Sequence, residues 1–344
     1  MLSVRSVKAA LFQGSEIIGA TRVLRNSSWR SKQLLILAYH GISFENEHEW
    51  NPGLYMPQHL LRRRLESIRK LDCSVLPLAE ALQRLNAGSL PKRSVVITFD
   101  DGNADFYHRA YPVLREFKVP ATVYWTTYYS QFPRPVPDVT ISFFLWLGRL
   151  QRLEWPGILP EPVVLDQSGR SRARAYLMKY AEERGFDARQ KDALLGELAE
   201  KLGIDYAEFC RKRILQIMSA DEAAKLAHAG VDFQIHTHRH RTPADRNLLL
   251  KEFKDNRRFI QEAGAPWPDH FCYPSGYYRH INRDWLSEAG IVSAVTCDPA
   301  LASRRSDRFD LPRFVDSSSC DTRHFEAWLS GVPQLLPRKK AFQA

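Results

Sequence analysis

From residue 34 onward, apolar positions recur in two alternating rhythms. The stretches 34–38, 94–99, 121–125, 231–235, 270–273 and 292–296 are short and almost wholly apolar, the length and composition of buried strands. Between them, 57–70, 77–87, 105–118, 219–229, 244–263 and 279–289 carry apolar residues at helical spacing. Ser219 followed by Glu222 predicts a capping box, and Gly230 and Gly290 stand where two helices would end. Strands alternating with helices predict an α/β fold with a parallel sheet and right-handed crossovers, open or closed as a barrel. Either form places its chemistry at the carboxyl ends of the strands.

The alternation stops between about residues 131 and 216. A proline-rich start, 131–138, gives way to charged sequence of helical character that includes 173–184 and 189–202. This is far longer than a crossover needs, so an inserted helical subdomain is expected. The expected organisation is a basic N-terminal helical segment (1–33), a catalytic domain (34–330) interrupted by that insertion, and a basic tail (331–344).

Composition narrows the picture only a little. The 344 residues are 44% hydrophobic and 26% charged, an ordinary profile for a folded domain. Five cysteines are scattered without a CxxC pair, against a disulfide framework or a cysteine-rich zinc site. No run has the continuous apolar character of a signal peptide or a membrane span, so a cytoplasmic protein is expected. Loops of the GxGxxG and GxxxxGK[ST] kind, a GxSxG elbow and HExxH are all absent. Arg62-Arg63-Arg64 and the arginines at 170, 172 and 174 read as solvated faces.

Three strand ends carry candidate chemistry. The 94–99 strand runs into Asp100-Asp101-Gly102. Adjacent carboxylates at the mouth of a buried strand repel one another, and one serving as a metal ligand with the other as a base resolves the conflict. The 231–235 strand runs into His236, His238 and His240, and neutral imidazole is a common metal ligand. In a helical turn His236 and His240 share a face, whereas in an extended chain all three do, so a two-histidine and a three-histidine site both stay open. The 270–273 strand runs into Pro274-Ser275-Gly276, a turn of the kind that presents a backbone N–H to an oxyanion. The 34–38 strand leads to Tyr39 and His40.

Taken in order, Thr98-Phe99-Asp100-Asp101-Gly102, His236-Thr237-x-x-His240 and Phe271-x-Tyr273-Pro274-x-Gly276 resemble the NodB-like polysaccharide deacetylases of carbohydrate esterase family 4. Tyr39-His40, 119–122, Asp298-Pro299 and 311–313 add to the likeness, which covers roughly 34–130 and 216–316. The resemblance implies a distorted (β/α) barrel with one divalent cation, most often Zn2+, on Asp101, His236 and His240. It further implies Asp100 as general base, the backbone N–H of Ser275 as oxyanion donor, and a sugar site around Tyr273, Pro274 and Gly276. The implied reaction is metal-assisted hydrolysis of an N-acyl, usually N-acetyl, group on an amino-sugar saccharide, polymeric or lipid-linked, as in exopolysaccharide biosynthesis. Ser275 stands where the family often has tyrosine, and no late histidine matches the family's proton donor. His40 is a candidate for that role, and Arg313 a candidate to orient Asp100.

Two further readings compete with this one. The first is a catalytically inactive carbohydrate-binding or scaffold protein that keeps the fold. The second is nucleic-acid binding through the formal charge of +10. The charge is unevenly placed: residues 1–33 hold six Lys/Arg against Glu16, the last eleven residues hold Arg338, Lys339 and Lys340 with no acid, and everything between is nearly neutral. That pattern argues against nucleic acid. It favours peripheral contact of the two ends with an anionic membrane, at its inner face.

Overall fold

The computed structural model describes residues 20–278 and 281–335. Most of the basic N-terminal segment and residues 336–344 of the tail lie outside the described residues. Eight strands form one sheet: β1 (Leu35–Tyr39), β2 (Ser74–Val75), β3 (Ser94–Phe99), β4 (Thr122–Trp125), β5 (Asp232–Ile235), β6 (His270–Cys272), β7 (Ser293–Val295) and β8 (Phe314–Val315). Their order is β7-β6-β5-β4-β3-β1-β8, with β2 beside the start of β3, and every pairing is parallel. One segment joins the two edges. Leu311 bridges Val295 of β7, and three residues later Phe314 pairs with Leu37 of β1. The sheet thus curls into a distorted (β/α) barrel.

Alternation along the strands explains why both faces are dry. Leu35, Leu37 and Tyr39 of β1, with Val95, Ile97 and Phe99 of β3, pack against surrounding helices through Leu61, Leu65, Val113 and Trp328. Ile36 and Val96 point the other way, toward Tyr124, Cys272, Val295 and the helix Leu78–Ala87. The 219–229 helix forms as Ala220–His228 with its reciprocal Ser219–Glu222 capping box. The 105–118 helix is broken. Phe106–Ala110 is a π turn and Tyr111–Phe117 a regular helix, because Pro112 has no N–H to continue the ladder.

Four helices, Pro137–Leu147, Gln167–Glu183, Ala188–Lys201 and Tyr206–Arg211, with the hairpin Arg152–Leu153/Val163–Val164, lie between β4 and the Ala220–His228 helix that precedes β5. They enclose their own apolar cluster around Phe144, Leu165, Leu177, Leu195 and Leu198. The chain returns to the barrel antiparallel to the Asp-Asp-Gly loop, with Met218 N donating to Gly102 O (2.9 Å) and Ala104 N to Gln216 O (2.8 Å).

Two arginines depart from the sequence expectation. Arg64 is not part of a solvated face: it is 0% exposed, held by Asp316 at 2.9 and 3.2 Å, and stacked on Phe325. Within its helix, Gln58–Lys70, it shares the inward face with Leu61, Leu65 and Ile68, whereas its neighbour Arg63, about 100° further round the helix, is exposed. Arg30, counted with the basic end, is also fully buried, its guanidinium donating to the carbonyls of Leu329, Gln33 and Ser94. Burial without a carboxylate partner lowers its pKa to about 10.

Candidate active site

The polar residues lie where each strand ends. Asp100 N still donates to Tyr39 O (2.9 Å), prolonging the β1–β3 ladder by one bond. At Asp101 the backbone turns left-handed (φ 69°), and Gly102 follows at φ 75°. That reversal sends the two carboxylates in different directions. Gly102 has a second reason to be glycine, since a Cβ there would lie 2.3 Å from Trp125 Cδ1.

Asp101 faces outward to a pair of histidines. Its Oδ1 lies 3.2 Å from His236 Nε2 and 3.2 Å from His240 Nε2. One donor atom from each of the three residues falls within 4.8 Å of the others. Desolvation opposes the charge on Asp101, but hydrogen bonds from both imidazoles outweigh it and hold the carboxyl well below its usual range. His236 Nδ1 lies 2.8 Å from Cys272 O, a contact that fixes the ring with Nε2 toward Asp101. Two imidazoles and a carboxylate around one point are a donor set that suits Zn2+ and leaves positions for water and substrate oxygen.

His238 is turned away. It is 5% exposed, its Nδ1 is 2.8 Å from Thr127 Oγ1, and its ring stands edge-on to Tyr128. The structure thus brings His236 and His240, and not His238, to Asp101. The cause is the loop backbone: Thr237 (φ 62°) and His240 (φ 52°) both adopt left-handed conformations, which breaks simple alternation. Such conformations cost about 1–3 kcal/mol each for residues other than glycine.

Asp100 points inward, 2% exposed, onto Arg313, which is 0% exposed. Both guanidinium Nη atoms meet the carboxylate at 2.7 Å. Arg313 also donates to Thr296 O (2.9 Å) and Thr98 Oγ1 (3.1 Å), so its planar fork is fixed on three sides. Burial pushes the Asp100 carboxyl up, but Arg313 more than offsets it, leaving a pKa of about 2. His40, at the end of β1, places Nε2 3.7 Å from Asp100 Oδ2.

The third loop departs from expectation in part. Tyr273 is 3% exposed and its hydroxyl donates to Phe309 O (2.9 Å), so it packs behind the turn and does not present itself to a sugar. Pro274 and Gly276 are buried as well, and only Ser275 is exposed, with φ 56°. His324 is remote from this group of residues, stacking on Phe314 and accepting from Trp328 Nε1.

Sequence reading missed several residues that shape the site. Cys272 Sγ lies 3.5 Å from Asp100 Oδ2 and 3.1 Å from Arg313 Nη2. Its inward position two residues before Pro274 was a readable signal for the inner face, though not for this contact. Thr127, Glu252 and Asn256 carried no local signal.

The polysaccharide deacetylase family model matches residues 87–138 and 193–294, which contain Asp100, Asp101, His236, His240 and Ser275. Poly-beta-1,6-N-acetyl-D-glucosamine N-deacetylase of Staphylococcus aureus (strain MSSA476) is 38% identical over 65 residues, 19% of this chain and 22% of that protein. Its counterpart in Staphylococcus epidermidis is 35% identical over 66 residues, 19% of this chain and 23% of that protein. The match thus spans about a fifth of the length of these relatives. Among solved structures, Streptococcus pyogenes deacetylase PplD in complex with acetate superposes with a TM-score of 0.57 at 18% identity, covering 87% of this chain and 97% of that one. The structure of IcaB from Ammonifex degensii gives 0.53 at 15% identity, covering 87% and 97%. These two share the fold. The polysaccharide deacetylase match covers the segments that carry the three strand-end motifs.

Proposed function

We propose that this protein is a metal-dependent hydrolase that removes N-acetyl groups from an amino-sugar polysaccharide of the poly-N-acetylglucosamine kind. The observation that carries the reading is the divergence of two adjacent carboxylates, one into a two-imidazole cluster and one onto a buried arginine. Asp101, His236 and His240 would hold the cation, Zn2+ by the character of the donors. A cation there supplies Lewis acidity, polarising the amide carbonyl and making water a stronger acid.

The remaining roles belong to the chain itself. Asp100, kept ionised by Arg313, accepts the proton of the attacking water. Two N–H-type contacts from Arg313 occupy the inner side of its carboxylate, so the carboxylate is fixed in orientation. His40, close to Asp100, gives a proton to the departing amine as the C–N bond breaks. The exposed Ser275 turn offers its backbone N–H to the oxyanion. The products are acetate and a free amino sugar.

An experiment on His40 separates this scheme from a carbohydrate-binding scaffold. His40→Ala should abolish amine release from N-acetylglucosamine oligomers while sparing hydrolysis of an aryl acetate, whose phenolate leaves without a proton. Asp100→Asn should abolish both. Full amide hydrolysis by either variant would remove the assigned roles, and an inactive wild-type protein that binds glycan would favour the scaffold.

A further inference from the structure

The two cation-ligating histidines sit on a strained loop, and one helix holds that loop in place. We propose that Asn256 and Glu252, on the helix Arg246–Glu262, are positioning residues that set the cation affinity of the Asp101–His236–His240 cluster. The inference rests on the metal-site reading above and concerns residues outside the ligand set.

Glu252 and Asn256 are four residues apart, so both project from the same helix face, and they are 1% and 0% exposed. Asn256 Oδ1 accepts from the backbone N of His236 (3.1 Å), the first ligand. Its Nδ2 donates to Trp125 O and to Thr127 Oγ1, both at 2.9 Å, and Thr127 in turn pairs with His238 Nδ1. Every polar group of the amide is therefore used, and β4, β5 and the inward histidine are tied to one side chain. Glu252 grips the loop between the ligands. Its Oε2 accepts from the backbone N of Arg239 (2.8 Å), and its Oε1 from Arg239 Nη1 (3.2 Å) and Arg241 Nε (2.8 Å).

Packing alone does not need this. An apolar side chain would fill either position without bringing polar atoms out of water, and a buried polar network is worth keeping when fully satisfied because it specifies one geometry. The geometry specified here is an unfavourable one: Thr237, β-branched, and His240 both lie at positive φ. Without the two anchors, the 236–241 loop relaxes toward ordinary conformations, and the second imidazole leaves Asp101. His236 itself stays better placed, because Cys272 O holds its ring independently.

The test uses the full chain, titrated with Zn2+ against a chromophoric chelator, and Co2+ absorption spectra as a report on ligand geometry. Asn256→Leu and Glu252→Gln should each weaken Zn2+ binding by about 10–100-fold, the usual effect of losing a partner that orients a metal ligand. Both should also alter the Co2+ spectrum. Arg239→Ala removes a side-chain partner of Glu252 but keeps the backbone N–H that matters, and should bind close to wild type. Melting curves of the cation-free proteins establish that each variant folds; if Asn256→Leu does not, Glu252→Gln decides. Folded variants with wild-type affinity and spectrum would overturn the proposal, leaving the two residues as packing alone. A wild-type protein that takes up neither ion would instead overturn the metal-site reading, and this inference with it.

Discussion

Replacing Arg313 by methionine tests the electrostatic core of the proposed mechanism. The substitution removes two 2.7 Å contacts to Asp100 and the bonds to Thr296 O and Thr98 Oγ1, while keeping most of the side-chain volume. Breaking a buried ion pair from one side costs about 3–5 kcal/mol, because the other charge stays buried without its partner. The pH dependence is more specific than that loss. In the wild type, the folded Asp100 pKa of about 2 lies below the ordinary 3.8. Its stabilisation is complete above the unfolded value and is lost as pH falls toward the folded one; at about 1.4 kcal/mol per unit, this amounts to about 2 kcal/mol. In Arg313→Met, burial acts without its main counterweight, the weaker pull of His40 and His236 remaining, and raises the carboxyl above 3.8. The folded state then binds more protons than the unfolded state, so stability from this group falls as pH rises between the two values. Thermal melts across the acid range should show the change of sign. The acid limb of amine release, plotted as kcat/KM against pH, should move to higher pH because the base is protonated later. Arg313→Lys, which keeps a charge without the fork, should fall between. An acid limb and a melting profile that coincide with the wild type would refute the reasoning.

Three other outcomes follow from the same structure. His238→Ala should keep full cation content and lose only about 1–2 kcal/mol, the loss of a buried contact with Thr127, as elemental analysis and melting would show. Gly102→Ala should destabilise by about 2–4 kcal/mol and depress amide hydrolysis, since φ is 75° and the new Cβ would meet Trp125 at 2.3 Å. Denaturant unfolding checks the first part, and a stability change within error would remove the claim. Arg64→Met should cost about 3–5 kcal/mol by leaving Asp316 buried and unpaired, and adding Asp316→Leu should restore part of it, a recovery read from a double-mutant cycle.

How much of this was legible in the sequence follows the range of the interaction involved. Strand β3 was readable to the residue because both its faces are buried and apolar residues fill four of its six positions. The Ser219–Glu222 box was readable because cap and partner are three residues apart. Asp100, Asp101, His236 and His240 could be nominated because each follows a strand, and the carboxyl ends of parallel strands converge. Their orientation could not. It depends on left-handed residues at Asp101, Thr237 and His240, conformations uncommon outside glycine and least suited to β-branched Thr237, which tertiary contacts select.

The same limit explains the charge. Lysines and arginines counted from sequence are read as surface, yet Arg30, Arg64 and Arg313 are all 0% exposed. Their partners lie far away along the chain: Leu329 O for Arg30, Asp316 for Arg64 and Asp100 for Arg313. Two of the three charges are neutralised by buried carboxylates, whereas Arg30 is capped by carbonyls, which hold its charge in place without cancelling it. Arg30 belongs to the segment 1–33 whose net charge suggested contact with an anionic membrane. Its guanidinium instead ties that segment to the carbonyls of Leu329, Gln33 and Ser94. Any membrane contact of this end must therefore come from its other basic residues. A truncation meant to test it should stop before Arg30, because removing Arg30 would leave those buried carbonyls without their donor and perturb the barrel as well as the charge.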